Sequence, residues 1–242
     1  TRRSSDLSPS ASLATIYDVE RGAILWDGVD VRELDPASLR ARFAATFQDF
    51  MTYDLSAQDN IGIGAPAAIG ALPRIRAAAR AAGVDDALAA LPAGYATLLS
   101  RVLAADGDDP DADPADADPD AAAPGVGLSG GQWQRVALAR ALVHDAAEVV
   151  VLDEPTASLD PEAEHQLHAA LRAHAAGRTQ LLVSHRLGAL RGADVIAVLA
   201  DGQIAELGDH DALMASGQAY ARMFATQARA YQDRRVAAEV AS

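Results

Sequence analysis

Glu148-Val149-Val150-Val151-Leu152 is a short β-branched apolar run that stops at Asp153-Glu154-Pro155. Such a run, with no polar alternation, reads as a strand buried on both faces, as in a parallel sheet covered by helices. The class it predicts is α/β. Open α/β sheets bind ligands beyond the carboxyl ends of their strands, and here that end carries two acids. An Asp so placed can hold Mg²⁺ directly or through water, and a Glu beside it can orient an attacking water. Two acids that simply end a strand in solvent are an equally good reading of this run alone.

About twenty residues earlier stands Leu128-Ser129-Gly130-Gly131-Gln132. Two glycines do not suit a helix interior but do suit a helix start. Ser129 is a good N-cap, and Gln132 to Val143 is helix-friendly, with Leu138 and Leu142 four apart. A helix start flanked by glycine presents free N–H groups and the positive end of the helix dipole, which is an anion site. The plain alternative is a glycine-rich turn before a surface helix.

LSGGQ, then VVVLDEP, then Ser158-Leu159-Asp160, then Val183-Ser184-His185, in this order and spacing, resemble the nucleotide-binding domain of ABC transporters from about residue 17 to about residue 231. The resemblance implies a P-loop NTPase-like α/β core with a mixed sheet, an N-terminal antiparallel β part and a helical subdomain carrying the signature LSGGQ. Residues 17–242 would form this ATPase domain, after an atypical segment 1–16. Within it, 17–71 and 146–242 would be the core and 72–145 the helical subdomain, with a disordered acidic insert at 104–124.

The implied cofactors are ATP and Mg²⁺. Glu154 would act as general base or orient the water. Asp153 and Gln48 would bind the metal, Gln48 also reaching the attacking water, and His185 would hydrogen-bond the γ-phosphate. Ser129, Gly130, Gly131, Gln132 and Asp160 would close over ATP held by a second cassette, in a homo- or heterodimer. Tyr53, Leu55 and Asn60-Ile61, and the tail with Tyr220, Phe224, Gln227 and Tyr231, resemble exporter-type cassettes. The expected partners are therefore the transmembrane domains of an ABC exporter, at the cytoplasmic face of the membrane.

Composition supports part of this and puts one part in question. The net charge of −14 argues against nucleic acid as a partner. There are no cysteines, hence no disulfide and no Cys-ligated metal. No apolar run approaches the ~18–20 residues that a membrane helix needs. Arg2-Arg3 lead into no hydrophobic segment, so no signal peptide is expected. All twenty basic residues are Arg. The family's phosphate cradle, G-x-x-x-x-G-K-[ST], needs a Lys and backbone N–H groups wrapped around phosphate, and it should lie before Gly22. Thr1 to Ser10 contain no glycine and cannot form that nest. Two readings follow. One is an exporter cassette whose sequence is truncated or frame-disturbed there. The other is a degenerate, non-hydrolysing regulatory cassette that donates only its signature motif.

The remaining chain predicts local elements. Asp27-Gly28 and Asp201-Gly202, each between apolar residues, predict hairpins. Asp35-Pro36 predicts a helix start reaching about Phe43, followed by a strand over Ala44–Phe47 that ends at Gln48. Leu72 to Leu91 predicts two helices, with Gly83 between them and Asp85 capping the second. Asp160-Pro161 predicts another helix start, with Leu167 and Leu171 on the inner face, and Gln180–Val183 predicts a buried strand. His144, His165, His168, His174 and His210 read as surface or core residues. Eight of the fifteen residues from Asp106 to Asp120 are Asp, and such like-charged low complexity reads as a solvated, disordered loop. It lacks the fixed Gly and distal Glu of an EF-hand-type Ca²⁺ loop. Its place just before the signature suggests that it weakens or regulates contact with the membrane domains.

Overall fold

The structure is a computed structural model that describes residues 22–100, 125–156, 161–174 and 177–240, with backbone only at 161–163, 165 and 230–240. The segment 1–16, the acidic insert and Ser158-Leu159-Asp160 therefore lie outside the described residues. The chain divides into two compact units, with the sequence boundary between Leu181 and Leu182.

The first unit opens with the expected hairpin. β1 (Leu25–Trp26) pairs antiparallel with β2 (Val29–Asp30). Asp27 and Gly28 turn between them at φ 50° and 84°, the left-handed pair that matches the twist of the flanking strands. After α1 (Pro36–Arg40), capped by the Asp35 carboxylate accepting from Ser38 N at 2.7 Å, comes β3 (Phe43–Thr46). The helix ends before Phe43 because the Arg42 carbonyl accepts from Glu148 N and Val149 N, which draws residue 42 to the sheet.

β4 (Leu55–Ser56) leads into α2 (Ala57–Gly62) and pairs with β5 (Leu98–Leu99). Between them lie α3 (Leu72–Ala81) and α4 (Asp85–Ala89). Val84, not Asp85, holds the cap position of α4; the Asp85 carboxylate points inward to Arg76 and the Tyr95 hydroxyl instead. α5 (Gly130–Leu142) carries the signature at its start and packs against α2, α3 and β3. β6 (Val149–Asp153) follows, then α6 (Pro161–His174), whose Leu167 and Leu171 are buried as expected.

The main sheet runs β3-β6-β7, with β7 spanning Thr179–Val183. β3 and β6 are parallel, and Val150, Val151 and Leu152 of the central strand are at most 2% exposed. β7 is half-buried, not buried, because it is an edge strand of the described sheet. Ile61, Ile75, Leu88, Leu99, Val136 and Leu142 complete the core of this unit. Each such side chain stabilises the fold by about 1.5–3 kcal/mol relative to exposure.

The second unit contains α7 (Leu187–Leu190), the hairpin β8 (Ile196–Ala200) with β9 (Gln203–Gly208), α8 (His210–Ser216) and α9 (Ala219–Val240). Asp201 and Gly202 turn the hairpin at φ 49° and 75°, as the first Asp-Gly pair does. Leu187, Ile196, Leu213 and Tyr220 form a small core, with Phe224 packed against it. The hairpin is apolar on its other face too, where Val195, Leu199, Ile204 and Leu207 are 57–63% exposed. No described helix is long and apolar enough to cross a membrane.

Candidate functional site at two strand ends and a helix start

The register of β3 on β6 decides which residues meet. Thr46 sits opposite Leu152 on parallel strands. Gln48 follows Thr46 by two residues, and Glu154 follows Leu152 by two, so both leave the sheet at the same end, with Asp153 between Leu152 and Glu154. The register is pinned at the other end. Arg42 donates to Glu148 through Nε at 2.7 Å and Nη2 at 2.6 Å, a two-pronged ion pair across the starts of the two strands. The Arg42 guanidinium holds the Glu148 carboxyl below its usual range. Gln48 is exposed, while Asp153 and Glu154 are half-buried. Glu154 has φ 51°, the left-handed region that a non-glycine residue rarely adopts, so the chain bends sharply away from the sheet there. Pro155 and Thr156 are buried behind it.

The start of α5 reaches this corner. Ser129 Oγ accepts from Gln132 N at 3.3 Å, and Gln132 Oε1 accepts from Ser129 N at 2.8 Å, a reciprocal capping box. The Gln132 amide is thus turned back on the cap, so Ser129 and Gly130 are the exposed residues of the signature. A methyl group built at Gly130 meets nothing within 4 Å, so open space adjoins the helix start. One turn on, Gln134 is 7% exposed, and its Nε2 donates to the Glu154 carbonyl at 2.9 Å. Thr46 Oγ1 donates to the Ala137 carbonyl at 3.3 Å. The signature helix is therefore tied to both strand ends that carry the predicted catalytic and metal residues.

α5 also organises the stretch after Gln48. Arg140 donates to the Asn60 carbonyl at 2.8 Å, to Asn60 Oδ1 at 3.2 Å and to the Met51 carbonyl at 3.0 Å, and lies 4.8 Å over the Tyr53 ring. Asn60 in turn donates to the carbonyls of Tyr53 and Leu55 at 2.9 and 3.0 Å. Asn60 and Ile61 are fully buried and support this stretch from inside, while Met51 and Tyr53 are exposed on its surface. Gly64 lies so close to this junction that a side chain there would come within 1.8 Å of the Arg140 carbonyl.

His185 belongs to the second unit, where it is exposed in the turn between β7 and α7. Ser184 Oγ accepts from Arg186 N at 3.0 Å in the same turn. Three of the other described histidines have side-chain partners, whereas His144 is half-buried with its Nδ1 unpartnered. His174 shares a 2.8 Å contact with Arg178, and burial, reinforced by the Arg178 charge, pushes its ring below the usual histidine range. His210 bonds the Tyr220 hydroxyl at 2.9 Å, and His168 is buried beside Glu164. The side chain of His165 lies outside the described residues, as does Asp160.

Gln134 and Arg140 carry no signal of their own in the sequence, whereas Asn60 is picked out by resemblance. The nearest to one is a polar Gln134 among the apolar residues of α5, a pattern that marks a buried hydrogen bond.

Among the described residues no group of three or more His, Cys, Asp or Glu could hold a metal unaided. Mg²⁺ is commonly held by one or two carboxylates together with substrate phosphates. Asp153 and the Gln48 amide offer the hard oxygen donors it takes.

Comparisons with known proteins agree with this geometry. The family model described as ABC transporter matches residues 10–157. The chain is 39% identical over 213 residues to the cyclolysin secretion/processing ATP-binding protein CyaB of Bordetella pertussis, covering 88% of this chain and 26% of that protein. It is 37% identical over 215 residues to the ATP-dependent lipid A-core flippase of Methylococcus capsulatus, covering 89% and 32%. Among solved structures it resembles a bacterial Atm1-family ABC exporter with ATP bound, with TM-score 0.75 and 34% identity, covering 90% of this chain and 34% of that one. The chain thus spans about a quarter to a third of the length of these relatives. With its signature helix bonded to the strand that ends in Asp153-Glu154, and with this family match over more than half its length, the chain belongs to the ABC transporter family, on a P-loop NTPase-like α/β fold.

Proposed function

We propose that this chain is the ATP-binding cassette of an ABC exporter and carries the catalytic residues of ATP hydrolysis, the phosphate cradle being one that Thr1 to Ser10 do not form. The observation that carries the reading is the β3–β6 register, which sets Gln48 and the Asp153-Glu154 pair at one end of adjacent parallel strands, with Gln134 linking the signature helix to Glu154. The reaction is phosphoryl transfer to water, which proteins catalyse by positioning and charge stabilisation. Glu154 orients the water and accepts its proton. Gln48 aligns the same water, and Asp153 with Gln48 forms the metal site. Bound Mg²⁺ supplies charge neutralisation on the phosphates. His185 donates to the γ-phosphate. Ser129 and the glycines, at the open start of α5, bind the phosphates of ATP held by a second cassette, so that ATP joins the pair and its hydrolysis releases it. The Met51–Tyr53 face, held up by Arg140, meets the transmembrane domains at the cytoplasmic side.

The test is calorimetry of Mg-ATP binding to the polypeptide carrying this chain, beside its Glu154→Gln variant. The expected result is binding that tightens about tenfold in the variant, about 1.4 kcal/mol, together with loss of turnover. Absence of binding at millimolar ATP would overturn the hydrolytic reading and leave a cassette that lends only its signature to a partner.

A further inference from the structure

The turn that carries His185 has a backbone problem of its own. α7 starts at Leu187, and its cap residue, Arg186, makes no side-chain capping bond. The first N–H groups of any helix need an acceptor from elsewhere. Here the acceptor comes from α9. Gln227 Oε1 accepts from Leu187 N at 3.0 Å, and Gln227 Nε2 donates to the His185 carbonyl. One carboxamide thus holds both sides of the turn, acting as a peptide group would in a neighbouring strand. The bonds span 40 and 42 residues of sequence.

The helix that brings Gln227 here is itself fixed. Tyr220, Phe224 and Gln227 recur at i, i+4 and i+7, one face of a helix. Tyr220 is fully buried and packs with Leu187, the residue next to the turn. Glu206 Oε1 accepts from Tyr220 N at 3.1 Å, and the Tyr220 hydroxyl bonds His210. A rigid strut therefore runs from the β8–β9 hairpin through α9 to the turn. The chemistry of the end group is specific. A Glu has no donor for the His185 carbonyl, an Arg has no acceptor for Leu187 N, and an Asn is one methylene shorter.

We propose that Gln227 is a positioning residue that sets the backbone of the His185 turn, and so the reach of the imidazole toward phosphate. This rests on the proposed role of His185. Its test has two arms, both on the polypeptide carrying this chain. In the first, amide hydrogen exchange is followed in Gln227→Leu. Exchange at Leu187 should rise at least tenfold, with amides of β8 and β9 unchanged. Gln227→Glu should keep much of the Leu187 protection, since it retains the acceptor. In the second, Mg-ATP turnover is measured. Gln227→Leu should lower kcat about tenfold with KM within twofold, and Gln227→Glu should fall between it and the parent. Unchanged Leu187 exchange in Gln227→Leu would overturn the clamp. Lost protection with unchanged kcat would overturn the positioning role. A fall in kcat matched by equal loss of thermal stability in both variants would likewise reduce Gln227 to a structural contact. If the parent itself shows no turnover, the reading of His185 fails and the positioning role with it, while the exchange arm still decides the clamp.

Discussion

The carboxylate of Asp85 receives Arg76 twice, at 3.0 and 3.2 Å, and the Tyr95 hydroxyl at 2.7 Å. The Arg76 hydrogen bonds, opposed by burial and aided by the Tyr95 bond, hold the carboxyl below its ordinary range. The Tyr95 hydroxyl is pushed up, by burial first and then by its bond to Asp85. Removing the charge leaves a buried hydroxyl with a weaker partner, so Asp85→Asn should destabilise the protein by roughly 1–3 kcal/mol at neutral pH. Because the folded pKa lies below the unfolded value of ~3.9, this stabilisation is complete above that value and is lost as pH falls through the folded pKa. Denaturation curves of parent and variant should therefore converge in acid and separate toward pH 7. Curves that stay parallel at all pH values would exclude the charge as the cause.

At the scale of elements, the start of α5 separates two duties that the motif combines. Ser129 caps the helix, whereas Gly130 adjoins open space. Ser129→Ala should lower stability by about 1 kcal/mol. Gly130→Ala should leave stability within about 1 kcal/mol of the parent yet abolish ATP-dependent pairing of cassettes in analytical ultracentrifugation. Equal pairing in Gly130→Ala and parent would remove this corner from the ATP interface. The elements legible in the sequence were those set by neighbouring residues: the two Asp-Gly hairpins, the Asp35-Pro36 start, the Ser129 cap and the apolar strand β6. Those that were not legible depend on distant partners. Gln134 meets Glu154 across 20 residues, Arg140 meets Asn60 across 80, and Gln227 meets His185 across 42. Asp85 was misread for the same reason, since an acid at a helix start satisfies the local rule for a cap while its real partners lie on other elements. Of the candidate site, Gln48, Asp153 and Glu154 could be picked out by motif, but only the register shows that they share one end of the sheet.

Over the whole molecule, charge is unevenly shared. The eight Asp of residues 106–120 supply more than half of the net −14. Such a stretch has no apolar side chain larger than Ala or Pro to bury. Deleting Asp106–Asp120 should leave the unfolding midpoint within about 2 °C, a change of roughly 0.5 kcal/mol or less, and should alter the coupling of ATPase to transport in the assembled exporter. Unchanged coupling would show the stretch to be inert.

The β8–β9 hairpin has a further consequence. Its inner face builds the core around Ile196 and Tyr220, and its outer face carries Val195, Leu199, Ile204 and Leu207 exposed. A sheet that is apolar on both sides behaves as the middle of a sandwich, and uncovered it attracts its own kind. The chain handled by itself therefore has a concentration ceiling, which precipitating salts such as sulfate lower further. Purification yield and shelf life should be sensitive to this surface.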